Sequence, residues 1–129
     1  MSSGFVFDTG ALIALENPAA ARRVTALLGM LGPDDRILLS AGSVAEAWRG
    51  GSGRQVPLSY LLRRQGVEVQ EITTPVAKAI GVFLGAYADA DDIVDAHVVM
   101  LARSRRFPVV TSDPGDIHAI DPKLTCITV

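Results

Sequence analysis

The chain has 129 residues, of which 49% are hydrophobic and 20% are charged, and its formal net charge is −2. This length accommodates one domain, and this composition excludes a largely disordered protein. No stretch reaches the roughly 18 consecutive apolar residues that a membrane helix requires, and the first residues lack the pattern of a secretion signal. We therefore expect one domain over residues 1–129, soluble, cytoplasmic and without contact to a membrane.

The first half of the chain alternates short apolar runs with segments of helical periodicity. Residues 5–7 predict a buried strand, and residues 9–15 continue as a short apolar helix. Residues 18–31 predict a longer helix, because apolar residues recur at helical spacing between a first-turn proline and a Gly-Pro pair. Residues 36–40 predict a second buried strand, and residues 43–48 have the composition and start signal of a helix.

The same alternation continues in the second half. Residues 58–65 predict a helix, and residues 67–72 alternate polar and apolar side chains as a half-exposed edge strand does. Residues 74–87 and 92–105 predict two further helices, each with an acceptable start signal.

Two more short strands complete the pattern at residues 108–111 and 124–129, with a turn or short helix beginning at Asp113-Pro114 between them. Strands that alternate with helices imply a parallel sheet covered on both faces. We therefore predict an α/β fold with three layers, α/β/α, around a mostly parallel sheet of about five strands. In such sheets ligands bind beyond the carboxyl ends of the strands.

Four acidic residues stand at the junctions of these elements: Asp8, Glu46, Asp95 and Asp113. Taken alone, Asp8 and Asp113 fit helix caps, since each directly precedes a predicted helix start. Ser43 and Glu46 match the spacing of a capping box. Asp92 and Asp95 suit the first turn of a helix, where the dipole favours acids. Capping does not explain why all four would meet at one edge of the sheet.

Carboxylates gathered at one sheet edge would repel one another unless they were protonated or bound to a cation. Oxygen ligands suit Mg²⁺ or Mn²⁺, and the lack of a Cys/His ligand pattern disfavours zinc. One or two such ions can activate a water and stabilise charge on a phosphate. The net charge of −2 disfavours binding of nucleic acid by bulk positive charge, but acids neutralised by a cation leave RNA open as a substrate.

Four segments resemble the motifs of the PIN-domain family in their usual order. Residues 5–15 (FVFDTGALIAL) resemble the family's opening strand, aspartate and short helix, and residues 43–48 (SVAEAW) resemble its glutamate motif. Residues 92–102 (DIVDAHVVMLA) resemble an aspartate that opens an Ala-rich helix, and residues 108–117 (PVVTSDPGDI) resemble a strand ending in Thr-x-Asp. The resemblance extends over nearly the whole chain and is greatest to the VapC-type toxins of VapBC toxin–antitoxin pairs.

This resemblance implies a Mg²⁺- or Mn²⁺-dependent endoribonuclease with one or two ions, commonly a homodimer, that a small antitoxin holds inactive. The family's acidic quartet corresponds to Asp8, Glu46, Asp95 and Asp113. These residues would bind the metal and perform catalysis, with Thr111 as a supporting hydroxyl and Thr9 as the small hydroxylated residue after the first aspartate. Asp92 is three residues from Asp95 and on the same helix face, so either could be the third ligand. Asp95 fits the family's spacing better.

Other classes of protein share part of this pattern. The string Asp8-Thr9-Gly10 also occurs in aspartic proteases, but that fold is almost entirely β, which the helical periods oppose. A receiver-like Mg²⁺-binding signalling domain is also α/β, but it usually has paired acids after its first strand, where this chain has Asp8 alone. A PIN-like domain that binds RNA or a partner without cutting is disfavoured by the intact quartet.

Three further side chains are expected to have structural roles. His97 lies among apolar neighbours on a predicted helix, so we expect it to be packed and not to act as a base. Asp116 is near enough to Asp113 to act through a water, although a surface turn is favoured. Cys126 is expected to pack as a small apolar side chain in a buried terminal strand.

Overall fold

A single five-stranded sheet is the centre of the computed structural model, which describes residues 3–50, 53, 55–87 and 90–129. The strands are β1 (Gly4–Phe7), β2 (Arg36–Ser40), β3 (Val67–Gln70), β4 (Val109–Thr111) and β5 (Cys126–Thr128). Their order is β3-β2-β1-β4-β5, and every neighbouring pair is parallel. The predicted α/β class is confirmed, with a fully parallel sheet where the sequence predicts a mostly parallel one. β3 lies at an edge, as predicted.

Seven helices occur in the described part of the chain. They are α1 (Thr9–Ala14), α2 (Pro18–Leu28), α3 (Ala41–Ala47), α4 (Val56–Arg63), α5 (Thr74–Gly85), α6 (Ile93–Arg105) and α7 (Pro114–Ile120). None of these helices has the length and apolar character needed to cross a membrane.

The sheet separates two hydrophobic cores. Phe5 and Phe7 of β1 face the core that α1, α2, α3 and α4 cover, whereas Val6 between them faces the core formed with α6 and α7. This alternation follows from the two-residue period of a strand. Because helices cover both faces, β1 is buried along its whole length. The predicted three-layer arrangement is confirmed.

The two central strands β1 and β2 approach closely at Gly4. A Cβ atom at this position would collide with the backbone carbonyl of Arg36, which is its partner in the parallel register. Backbone cannot move aside as the end of a long side chain does, so the close approach of the strands requires glycine here.

The start of α3 differs from the sequence prediction. This helix begins at Ala41, directly after β2, and Ser40 caps it by accepting the N–H of Gly42 at 3.1 Å. Ser43 is buried inside the helix, and its Oγ has no hydrogen-bond partner among the described residues. The capping-box interpretation of Glu46 is therefore wrong, because Ser40 already occupies the cap and Glu46 lies in the last turn.

Smaller differences occur at the ends of other elements. α2 ends at Leu28, three residues earlier than predicted, because the following residues form single turns with bonds from Met30 to Leu27 and from Leu31 to Leu28. Cys126 is half-buried, since β5 is the second edge strand, so the prediction of a buried terminal strand is right only in part.

Candidate functional site

Asp8 and Asp113 follow neighbouring strands that end at the same edge of the sheet. β1 and β4 are paired in parallel, so their carboxyl ends coincide. The N–H of Asp8 donates to the carbonyl of Val110 at 3.1 Å, which extends the pairing by one residue. Thr111, the buried last residue of β4, forms a side-chain hydrogen bond with the Asp8 carboxylate. The sheet itself therefore positions the first carboxylate.

The Asp8 side chain is buried, with 6% of the residue exposed. Its Oδ1 accepts the N–H of Ala11 at 2.8 Å and so caps α1. Burial is the largest effect on the pKa of Asp8 and raises it, while the hydrogen bonds with Thr111 and Ala11 oppose this rise. The negative charges of Asp116 and Asp113 raise the pKa of Asp8 further. Asp8 is thus a helix cap and also one of several acids that act on one another. These acids are called the acidic group below: Asp8, Glu46, Asp95, Asp113 and Asp116.

Glu46 reaches the same edge from α3. Its Oε1 accepts a hydrogen bond of 2.8 Å from the Oγ1 hydroxyl of Thr9, the first residue of α1. Thr9 directly follows Asp8, so this bond ties the exposed glutamate to the helix that the buried aspartate caps. The structure thereby gives Thr9 a specific contact with the acidic group.

Asp95 lies half-buried in the first turn of α6, where its N–H donates to Oδ1 of Asp92 at 2.9 Å. The pKa of Asp95 is raised to about 7, first by burial and then by the negative charge of Asp92. The charges of Asp8, Asp116 and Glu46 raise it as well. Acids that follow β1 or belong to α3, α6 and α7 therefore act on one another electrostatically. Asp92 is an exposed helix cap, so Asp95 is the better placed of the two candidates for the third ligand.

Asp113 and Asp116 both lie at the start of α7, but their charges act on different acids. Exposed Asp113 caps α7 through Gly115 N–H at 3.0 Å, and its own N–H donates to Oγ1 of Thr111 at 3.0 Å. Its charge acts on Asp8, whereas the charge of Asp116 acts on both Asp8 and Asp95. Asp116 is exposed in the first turn of α7, in line with the predicted surface position, and its negative charge lies near enough to raise the pKa of Asp95.

An open cleft of about 270 Å³ lies beside this acidic group, between α6 and α7. It is lined by Tyr87, Ala90, Asp91, Asp92, Asp95, Asp116, Ala119 and Ile120. Four of these eight residues are aspartates, so a polyanionic ligand would enter the cleft only with cations that offset their charge.

Comparison with protein-family models assigns the chain to a family. The model of the PIN domain matches residues 5–121. The chain belongs to the PIN domain family. A comparison with curated proteins gives no match.

Several solved structures share the fold of this PIN domain. The VapC20 toxin of Mycobacterium tuberculosis, described as cleaving the sarcin–ricin loop, has a TM-score of 0.73 at 20% identity, covering 97% of this chain and 99% of that chain. VapBC2 of Rickettsia felis, bound to a promoter DNA fragment, has a TM-score of 0.67 at 14% identity, covering 98% of each chain. FitAcB of Neisseria gonorrhoeae has a TM-score of 0.58 at 20% identity, covering 96% of each chain.

Membership in the PIN family decides between this family and the two other classes of protein considered for the aspartate after the first strand, aspartic proteases and receiver-like domains. Aspartic proteases are almost entirely β, whereas this PIN domain has helices on both faces of a parallel sheet. The family match over residues 5–121 likewise disfavours a receiver-like domain.

The chemistry of the acidic group suits a hard divalent cation. Its side chains offer only carboxylate oxygens, with supporting hydroxyls at Thr9 and Thr111, and burial together with the neighbouring negative charges raises the pKa values of Asp8 and Asp95. Within the described ranges, no three His, Cys, Asp or Glu side chains already form a group able to hold an ion. The donor set of this PIN domain therefore fits Mg²⁺ or Mn²⁺, while the carboxylates would have to draw together around it.

His97 is packed in this PIN domain, as the sequence predicts. It is 3% exposed, and its Nδ1 lies 2.7 Å from Oγ of Ser40. Burial lowers the pKa of His97, so the ring is neutral at pH 7. It does not belong to the acidic group.

Proposed function

We propose that this chain is a Mg²⁺- or Mn²⁺-dependent endoribonuclease and the toxin of a VapBC-type toxin–antitoxin pair, acting in the cytoplasm. The observation that supports this proposal most strongly is the placement of Asp8, Glu46 and Asp95 near the carboxyl edge of the sheet, where burial and the charges of the neighbouring acids raise the pKa of Asp95 to about 7. Such a concentration of like charge costs stability unless a cation binds, and it lies where parallel sheets bind their ligands.

Asp8, Glu46 and Asp95 are the residues that would hold one or two ions, with Asp113 and Asp116 contributing directly or through water. A bound Mg²⁺ or Mn²⁺ supplies the lowered pKa of a coordinated water and neutralises charge on a phosphate. Thr9 orients the Glu46 carboxylate through its 2.8 Å hydrogen bond. The side chain of Thr111 orients the Asp8 carboxylate through a hydrogen bond. Its Oγ1 also accepts the N–H of Asp113 and so orients the backbone there. The protein thus provides oxygen ligands near one edge of the sheet, and these would draw together around the ion.

RNA as the substrate is supported by the fold shared with a toxin described as cleaving the sarcin–ricin loop. An antitoxin partner is supported by the fold shared with VapBC2 and FitAcB. At identities of 20% and below, these comparisons show a common fold, and the activity is our proposal for this chain.

The proposed activity is tested by incubating the purified chain with total RNA, with Mg²⁺, with Mn²⁺ and with a chelator, and mapping the new RNA ends. We expect discrete cuts that require one of the two metals. Cleavage that a chelator does not diminish would contradict the metal-dependent mechanism, and intact RNA under every condition would contradict the nuclease.

The antitoxin part of the proposal has a separate test. Expression of the chain alone should arrest growth of the host cell, and co-expression with the product of a small adjacent gene should restore growth. If the adjacent product neither binds the chain nor restores growth, the toxin–antitoxin assignment is wrong even if RNA is cleaved.

A further inference from the structure

The buried pair formed by His97 and Ser40 connects the two helices that present Asp95 and Glu46. Ser40 is fully buried at the end of β2 and caps α3, while His97 is buried on α6. Their 2.7 Å hydrogen bond joins positions 57 residues apart in the chain. Ser40 Oγ also accepts the N–H of Gly42, so one buried hydroxyl contacts both α6 and the start of α3.

A second contact between the same helices lies beside this pair. A Cβ atom added to Gly42 would come within 2.7 Å of Cγ2 of Val94. Valine is stiff at χ1 and cannot easily turn away, so only glycine lets the start of α3 approach the start of α6 this closely. Gly42 and Val94 therefore set the spacing of the two helices, and Ser40 with His97 provides a directional bond at that spacing.

The contact region formed by Ser40, Gly42, Val94 and His97 is adjacent to the acidic group on both helices. Asp95 lies between Val94 and His97 in the sequence, in the same turn of α6. Glu46 lies in the last turn of α3, where Thr9 fixes its carboxylate from the other side. A shift of the start of α6 relative to the end of β2 and the start of α3 would move Asp95 relative to Glu46 while leaving each helix intact.

We propose that His97 is a positioning residue, whose hydrogen bond to Ser40 fixes α6 against α3 so that Asp95 and Glu46 can share one divalent cation. This inference rests on the proposed metal dependence. A hydrophobic side chain would fill the same space but would not define the register of the helices, because dispersion contacts are not directional.

The test measures Mn²⁺ affinity of the full chain at fixed pH and 15 °C, from the electron paramagnetic resonance signal of free Mn²⁺. His97→Phe keeps an aromatic ring and removes the hydrogen bond, and we expect its affinity to fall roughly tenfold, as losses around a metal site typically do. His97→Asn retains a hydrogen-bonding atom where Nδ1 stands, and we expect it to recover most of the affinity. Val24→Ala, a core variant on α2, is the control for lost stability and should bind as the wild type does.

Gly42→Ala keeps the proposal testable if His97→Phe does not fold. The added Cβ should push α3 away from Val94 and weaken Mn²⁺ binding, and the second change Val94→Ala should restore it. Wild-type affinity in His97→Phe, or in folded Gly42→Ala, would overturn the inference while the proposed function stands. Failure of the wild type itself to bind Mn²⁺ would overturn both.

Discussion

Asp8 accepts the N–H of Ala11 as a helix cap and also stands among the acids whose charges raise its pKa. Asp92 and Asp113 are helix caps as well. Capping and membership in the acidic group are therefore compatible, since a capping carboxylate uses one oxygen for the backbone and retains acceptor capacity on the other. From the sequence, these two interpretations of an aspartate at a helix start look like alternatives.

Asp95 is expected to lower the stability of the metal-free protein as pH rises. Its pKa is about 7 in the folded chain against an ordinary value of 3.8, so the folded state holds its proton more tightly and loses stability between about pH 4 and pH 7. At pH 8, Asp95→Asn should melt several degrees above the wild type, and at pH 4 this difference should nearly disappear. Thermal melts in chelator at both pH values measure this difference, which should shrink at pH 8 when Mn²⁺ is added. A difference that does not change with pH would contradict the account.

Thr9 is expected to matter for activity more than for stability. Thr9→Val keeps the shape of the side chain but removes the donor to Glu46, so we expect RNA cleavage to slow about tenfold, with little change in melting temperature because the bond is exposed. Thr9→Ser retains the donor and is the matched control. Equal cleavage rates for the valine and serine variants would show that the bond has no role.

The order and type of the elements follow from short-range patterns in the sequence, while the position of α3 does not. Apolar runs such as residues 36–40 and the spacing of apolar side chains in α6 are local signals, and the structure confirms them. The choice of Ser40 over Ser43 as the cap of α3 depends on where β2 ends against β1 and β3, which is a tertiary effect. The effect of Asp116 on Asp8 and Asp95 likewise depends on how α7 packs beside α6, which local sequence patterns do not specify.

Two glycine substitutions should have opposite effects on stability. Gly4→Ala places a Cβ against the carbonyl of Arg36 between the central strands and should cost roughly 1–3 kcal/mol. Gly81→Ala, inside α5, meets no described heavy atom within 4 Å and should stabilise the protein by roughly 0.5–1 kcal/mol. Chemical denaturation measures both. A stabilised Gly4→Ala variant would contradict the close approach of β1 and β2.

On the scale of the whole molecule, the sheet brings acids from distant parts of the chain to one edge. The fold predicts which edge this is, because ligands bind at the carboxyl ends of parallel strands. The distances between the acids could not be predicted from the sequence, since they depend on contacts such as those between Thr9 and Glu46 and between Ser40 and His97.

We propose that the chain forms a homodimer, as its resemblance to the VapC-type toxins implies. Val82 on α5 is 77% exposed and Ile93 at the start of α6 is 55% exposed, so an interface that covers them would remove apolar area from water. We expect light scattering to give twice the mass of a single chain for the wild type and a smaller mass for Val82→Lys. A wild type that is monomeric at every concentration would contradict the dimer.

The central claim is that the acidic group cleaves RNA with a divalent metal, and the cleavage rate of Asp8→Asn at saturating Mn²⁺ tests it most directly. Asparagine caps α1 as well as aspartate does, so the fold should persist. The exposed acid Asp34, changed to asparagine, is the matched control. We predict at least a roughly hundredfold loss of rate for Asp8→Asn and none for Asp34→Asn. Full activity of a correctly folded Asp8→Asn variant would contradict the account.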